Sequence, residues 1–77
     1  MMQEQLRKNI AKLLQDRGLT QKELSYILDI DASQVSRIMN GSGSLTLGHI
    51  EKISSELELR PIDLFTYPDI YQKPADE

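Results

Sequence analysis

The sequence predicts an all-α domain of five short helices, and three observations carry that expectation. Helix-start signals of one kind recur along the chain, apolar residues return at helical spacing, and no stretch alternates apolar with polar as a strand does. At 77 residues, such helices must share a single core, which leaves no room for a second domain or a large buried catalytic cleft.

Helix 1 is expected over about residues 3 to 17, where Leu6, Ile10, Leu13 and Leu14 fall at i, i+4, i+7 and i+8 and form a core-facing stripe. Gly18 ends it as a left-handed cap. Helix 2 follows Thr20, whose side-chain oxygen can accept from the Glu23 backbone while Glu23 reaches back, a capping box. It runs over about residues 21 to 28 and buries Leu24, Ile27 and Leu28, and the small Ser25 lets a neighbouring helix approach closely. Residues 29 to 31 form a turn. Asp31 with Gln34 then makes a looser box at the start of helix 3, which stops at Asn40 and Gly41. Leu19 with Leu24, and Ile30 with Val35, stand at the spacing of a hydrophobic staple around these two starts.

Ser42, Gly43 and Ser44 read as a flexible loop. Helix 4, about residues 47 to 58, starts at a Thr46 cap flanked by Leu45 and Ile50, and buries Ile50, Ile53 and Leu57. Helix 5, about residues 61 to 65, opens on Pro61, which suits a first helical position, and offers Ile62, Leu64 and Phe65. Pro68 and Pro74 cannot sit inside helices, so residues 67 to 77 read as a tail that frays at its end. Within it, Tyr67, Ile70 and Tyr71 either fold back over the small core or take part in a dimer contact, where aromatic residues are enriched.

Composition narrows the chemistry. Without cysteine there is no disulfide, thiolate metal site or cysteine nucleophile. The N-terminal charges are interleaved with single apolar residues, unlike a signal peptide, and no apolar run approaches membrane-spanning length, so the chain reads as cytoplasmic with no membrane partner. His49, the only histidine, has no second ligand or acid–base partner marked by spacing and reads as a solvated residue. Gly41, Gly43 and Gly48 do not follow the phosphate-loop pattern, and Asp29 and Asp31 lack the remaining ligands of a calcium loop. Neither enzymatic activity nor a metal or cofactor is expected.

Helix 3 is divided into faces. Advancing about 100° per residue, Ser33, Ser36, Arg37 and Asn40 gather on one side, and Val35, Ile38 and Met39 on the other. One side can pack while the other hydrogen-bonds outward. The net charge of -3 is unevenly spread: residues 1 to 44 hold six basic residues against five acidic, and residues 45 to 77 hold three against seven. The first stretch therefore carries a weak positive footprint and the second is acidic.

Leu19, Thr20, Gln21, Glu23, Leu24 and Ser25, then Val35, Ser36, Ile38, Asn40 and Gly41, with Leu57 and the 61 to 65 segment, resemble the Cro and phage-repressor type of helix-turn-helix, also called XRE-like. The likeness covers roughly residues 5 to 66. It implies a compact five-helix phage-repressor-like DNA-binding domain over residues 1 to 66, with the helix-turn-helix at helices 2 and 3. Such a domain docks its second motif helix in the major groove of double-stranded DNA as a homodimer. Carried across by position, the resemblance assigns base contacts to Ala32, Ser33, Gln34, Ser36 and Arg37. Arg37 has the strongest chemistry, because its fork can bond guanine O6 and N7 together. Phosphate contacts fall to Gln21, Lys22, Asn40, Ser42 and Ser44, and pairing of two copies to Ile62, Phe65, Tyr67, Ile70 and Tyr71.

Four positions depart from the family pattern. Asp29 stands where a turn glycine is usual, Ala32 where many relatives have glutamine, and Leu14 with Met39 where some relatives have a buried ion pair. The leading expectation is a transcriptional repressor. The alternative is an antitoxin-like module whose acidic half and tail bind a protein such as a toxin, with DNA binding secondary or lost.

Overall fold

The apolar stripes of the helices converge on one core in the computed structural model, which describes residues 2 to 69. Among the described residues there are five helices and no strand: α1 (Met2–Asp16), α2 (Gln21–Leu28), α3 (Ala32–Asn40), α4 (Leu47–Glu56) and α5 (Pro61–Thr66). Leu6, Ile10, Leu13 and Leu14 of α1 meet Leu24 and Leu28 of α2, Val35 and Ile38 of α3, Ile50 and Ile53 of α4 and Leu64 of α5. The first helix lies against α5 and α3, α2 against α3 and α4, and α4 against α5. Ser25 is buried, as its small side chain allows.

Helices α1 to α4 all end in the same way. Gly18, Asp29, Gly41 and Glu58 take positive φ values of 68°, 57°, 95° and 58°. Each is followed by a residue whose N–H donates to a carbonyl five positions back: Leu19 to Leu14, Ile30 to Ser25, Ser42 to Arg37 and Leu59 to Ser54, at 2.8 to 3.2 Å. This is the Schellman closure, which satisfies carbonyls that the helix itself leaves bare. Asp29 does adopt the left-handed conformation at the position where glycine is usual. Glu58 was not marked by the sequence, and α4 stops at Glu56, two residues short of the end expected from apolar spacing. The spacing misleads there because Leu57 still packs into the core after the helix has ended.

The helix starts differ more than the ends. Thr20 and Glu23 form the full reciprocal box, each bond 3.1 Å. At α3 only the return arm forms, from Asp31 N–H to Gln34 Oε1 at 3.3 Å, and the Asp31 side chain makes no cap bond. Thr46 has a partner that was not foreseen: its Oγ1 accepts from His49 N–H at 3.1 Å, and its own N–H donates to His49 Nδ1 at 3.3 Å. His49 thus serves as the third residue of a capping box, with Nδ1 as the acceptor. At α5, Arg60 N–H donates to Asp63 Oδ2 at 2.9 Å, and the guanidinium pairs with Oδ1 of the same buried carboxylate.

Polar straps then tie distant helices together. Asn9 on α1 is only 6% exposed, and its Nδ2 donates to the Leu64 and Phe65 carbonyls, both at 3.0 Å, while its Oδ1 accepts from Gln5. Arg17 donates to the Leu57 carbonyl and Lys52 to that of Leu28, placing cations at two helix C-termini where the dipole favours them. Tyr67 is half-buried against the core, and its hydroxyl donates to Asp16 Oδ2. That bond, helped by Lys12, holds the Asp16 carboxyl below its ordinary value, and the same bond to Asp16 raises the Tyr67 phenol above its own.

Three outcomes follow from these contacts. Asn9→Ala strips the Leu64 and Phe65 carbonyls of a buried donor, so urea unfolding should show a loss of about 2 kcal/mol; a loss near zero would mean that water replaces the amide. Glu58→Gly should stabilise by about 0.5 to 1 kcal/mol and Asp29→Gly by less, because aspartate tolerates the left-handed region better than glutamate. Tyr67→Phe removes the bond to Asp16. Since the folded carboxyl titrates below its ordinary 3.8, the bond's contribution is present above that pH and fades as pH falls further. The gap in urea midpoint between the unmodified protein and Tyr67→Phe should therefore hold from neutrality down to the ordinary aspartate range and close as pH falls below it.

Candidate nucleic-acid interface

The turn between α2 and α3 sets the relation of the two helices. Asp29 reverses the chain in the left-handed region, the Ile30 N–H returns to the Ser25 carbonyl, and Asp31 is extended at φ -66°, ψ 147°. From there α3 runs with Val35 and Ile38 buried and Met39 half-buried, while Ala32, Ser33, Gln34, Ser36, Arg37 and Asn40 are all exposed. The division into faces expected from 100° steps is thus present. The five residues assigned to base contacts share the solvent side of one helix.

Arg37 is the centre of that face. Its side chain makes no hydrogen bond or ion pair among the described residues, so all its donors are available to a ligand. It lines an open hollow of about 390 Å³ together with Gln34, Ser42, Ser44 and His49, over a floor formed by Ile30 and Ile38. Gln34 is exposed and has its amide oxygen engaged with Asp31 N–H, while its NH2 donors have no partner among the described residues. Neither Ser33 nor Ser36 has a side-chain partner among the described residues.

The residues assigned to phosphate fall on the two flanks of α3. Gln21 is exposed at the first position of α2, above a hollow lined by Leu14, Leu19 and Met39. Leu14 and Met39 therefore line a common surface, an apolar junction at the positions where some relatives have an ion pair. Lys22 is exposed beside Gln21. On the other flank, Asn40 Oδ1 accepts from Ser42 N–H at 3.0 Å and from Ser42 Oγ at 2.7 Å. The Asn40 oxygen and the Ser42 hydroxyl proton are thus engaged in shaping the loop. Asn40 keeps its NH2 donors, and Ser44 keeps its hydroxyl. Arg7 of α1, which nothing in the sequence connected to this surface, lies against Gly41 at the end of α3.

The residues assigned to pairing are divided. Ile62 on α5 is 53% exposed, whereas Phe65 and Tyr67 are half-buried and packed on the core. Ile70 and Tyr71 lie outside the described residues. Among the described residues, no group of three or more histidine, aspartate or glutamate side chains is placed to hold a metal ion. No described helix is long and apolar enough to cross a membrane.

Comparison with known proteins gives one family. A family model described as a Cro/C1-type HTH DNA-binding domain matches residues 9–69. No curated protein matches the chain. No solved structure matches it either.

Proposed function

The chain belongs to the Cro/C1-type helix-turn-helix DNA-binding family, and from that premise we propose that it is a sequence-specific transcriptional repressor acting as a homodimer. One observation carries the reading: the exposed face of α3 presents an arginine with no hydrogen-bond or ion-pair partner among the described residues, on a helix whose opposite face is locked into the core. In the major groove, Arg37 bonds guanine O6 and N7 through two parallel N–H groups. Ser33 and Ser36 supply weaker donors or acceptors, Gln34 offers its NH2, and Ala32 makes only apolar contact, as with a thymine methyl.

The flanks set register. At the start of α2, Gln21 and Lys22 face one phosphate strand, where the helix dipole and free N–H groups favour an anion. Asn40 and Ser44 face the backbone on the other side. With Ile62 contributing to the contact between copies, two α3 helices reach half-sites about one helical turn, roughly 34 Å, apart. Repression is then steric, a bound dimer covering promoter DNA.

The acidic composition of residues 45 to 77 motivates one further reading, an antitoxin-like module that binds a protein partner through this half. It would be favoured if the purified protein enriched no sequence from random DNA at low salt but copurified with one fixed partner.

Selection from random DNA followed by binding titration tests the main proposal. Arg37→Ala should remove about 1 to 3 kcal/mol of discrimination per half-site while leaving unfolding unchanged. Gln21→Ala should weaken selected and unrelated duplexes by similar factors. Loss confined to one base pair in the Gln21 variant would show that it reads sequence, against the proposal.

A further inference from the structure

The described basic residues fall into three groups. Lys8, Lys12 and Arg60 are paired with Glu4, Asp16 and Asp63. Arg17 and Lys52 donate to helix C-terminal carbonyls. Arg7, Lys22 and Arg37 have no hydrogen-bond or ion-pair partner among the described residues. Lys22 and Arg37 lie on the helix-turn-helix surface, so the position of Arg7 becomes informative.

Arg7 is partly exposed on α1, yet its guanidinium lies beside the residue that ends α3. A β-carbon on Gly41 would lie 3.3 Å from Arg7 Cζ and Nη2 and 3.5 Å from Nη1. Three nearly equal distances mean that the flat face of the guanidinium, not its edge, covers Gly41. Its N–H groups, which lie in the plane of the guanidinium, are thus directed sideways from Gly41, the residue at which the recognition helix passes into its flanking loop.

We propose that Arg7 is a DNA-backbone contact, a third cation that extends the binding surface from α3 onto α1, with Gly41 as the platform that orients its fork toward a phosphate. The inference rests on the DNA-binding reading above. It also gives Gly41 a second role: besides adopting the left-handed conformation, it lets the guanidinium lie closer than a β-carbon at that position would comfortably allow.

The competing role is structural, a cation stabilising the C-terminus of α3 through its dipole. The two separate in a salt titration of the full chain on a selected duplex and on an unrelated one, with urea unfolding run in parallel. As a phosphate contact, Arg7→Ala weakens both duplexes by a similar factor, about 5- to 10-fold near 0.1 M salt. The slope of log affinity against log salt then falls by about 0.9 for each protomer's contact. Arg7→Lys, which keeps the charge, restores most of that slope. An unchanged slope in Arg7→Ala, with or without a loss of stability, overturns the proposal. If the unmodified protein binds neither duplex, the DNA-binding reading itself fails, and the Arg7 contact fails with it.

Discussion

A domain of helices between six and fifteen residues long has little helical stability of its own to draw on, since nucleating each short helix is unfavourable and only packing makes it persist. The turns must therefore deliver each helix to the core at a fixed angle. Here that requirement is met by a single device used four times, a left-handed residue followed by an N–H that returns five positions. The identical closure after α2 and after α3 fixes the position of the helix-turn-helix, because it determines where the second helix starts and where its flanking loop leaves. Two of the four left-handed residues are not glycine, so tertiary packing is strong enough to hold an aspartate and a glutamate in a region their side chains disfavour.

Most of the domain was legible because its determinants are local. The stripe Leu6, Ile10, Leu13 and Leu14, the Thr20–Glu23 box and Gly18 each act within a turn or two of chain, and the sequence shows them directly. What escaped has distant partners or an unusual residue. Asn9 interrupts an apolar stripe, and its meaning is visible only once α5 lies against it, 55 and 56 positions away. The approach of Arg7 to Gly41 is likewise tertiary. Glu58 has no composition mark, since glutamate is rarely left-handed. His49 did leave a signal: it stands three residues after a threonine, the spacing of a capping box, with an imidazole nitrogen in place of a carboxylate.

The charge distribution also looks different in three dimensions. A net charge of -3 is a poor match for a polyanion, but the sum conceals which charges are already neutralised. Among the described residues, three cations are matched by acids within their own helices or at a helix start, and two sit on carbonyls. The described cations left over are Arg7, Lys22 and Arg37, the same three that the proposed DNA-binding surface uses, so a protein that is acidic overall still has unneutralised cations to offer a polyanion. Low overall charge in turn limits indiscriminate binding to nucleic acid, which favours a regulator that must find few sites among many.

The Asn9 strap has a consequence for how the chain acquires its shape during synthesis. The amide that stitches α1 to α5 requires residues 64 and 65 to be present, and the core stripe of α1 is completed by Leu64. A nascent chain whose first four helices have left the ribosome still exposes the α5-facing side of α1, with Asn9 bonded to water. The contact between the first and the fifth helix therefore closes late in synthesis, and until then α1 can pack only against the helices that precede α5.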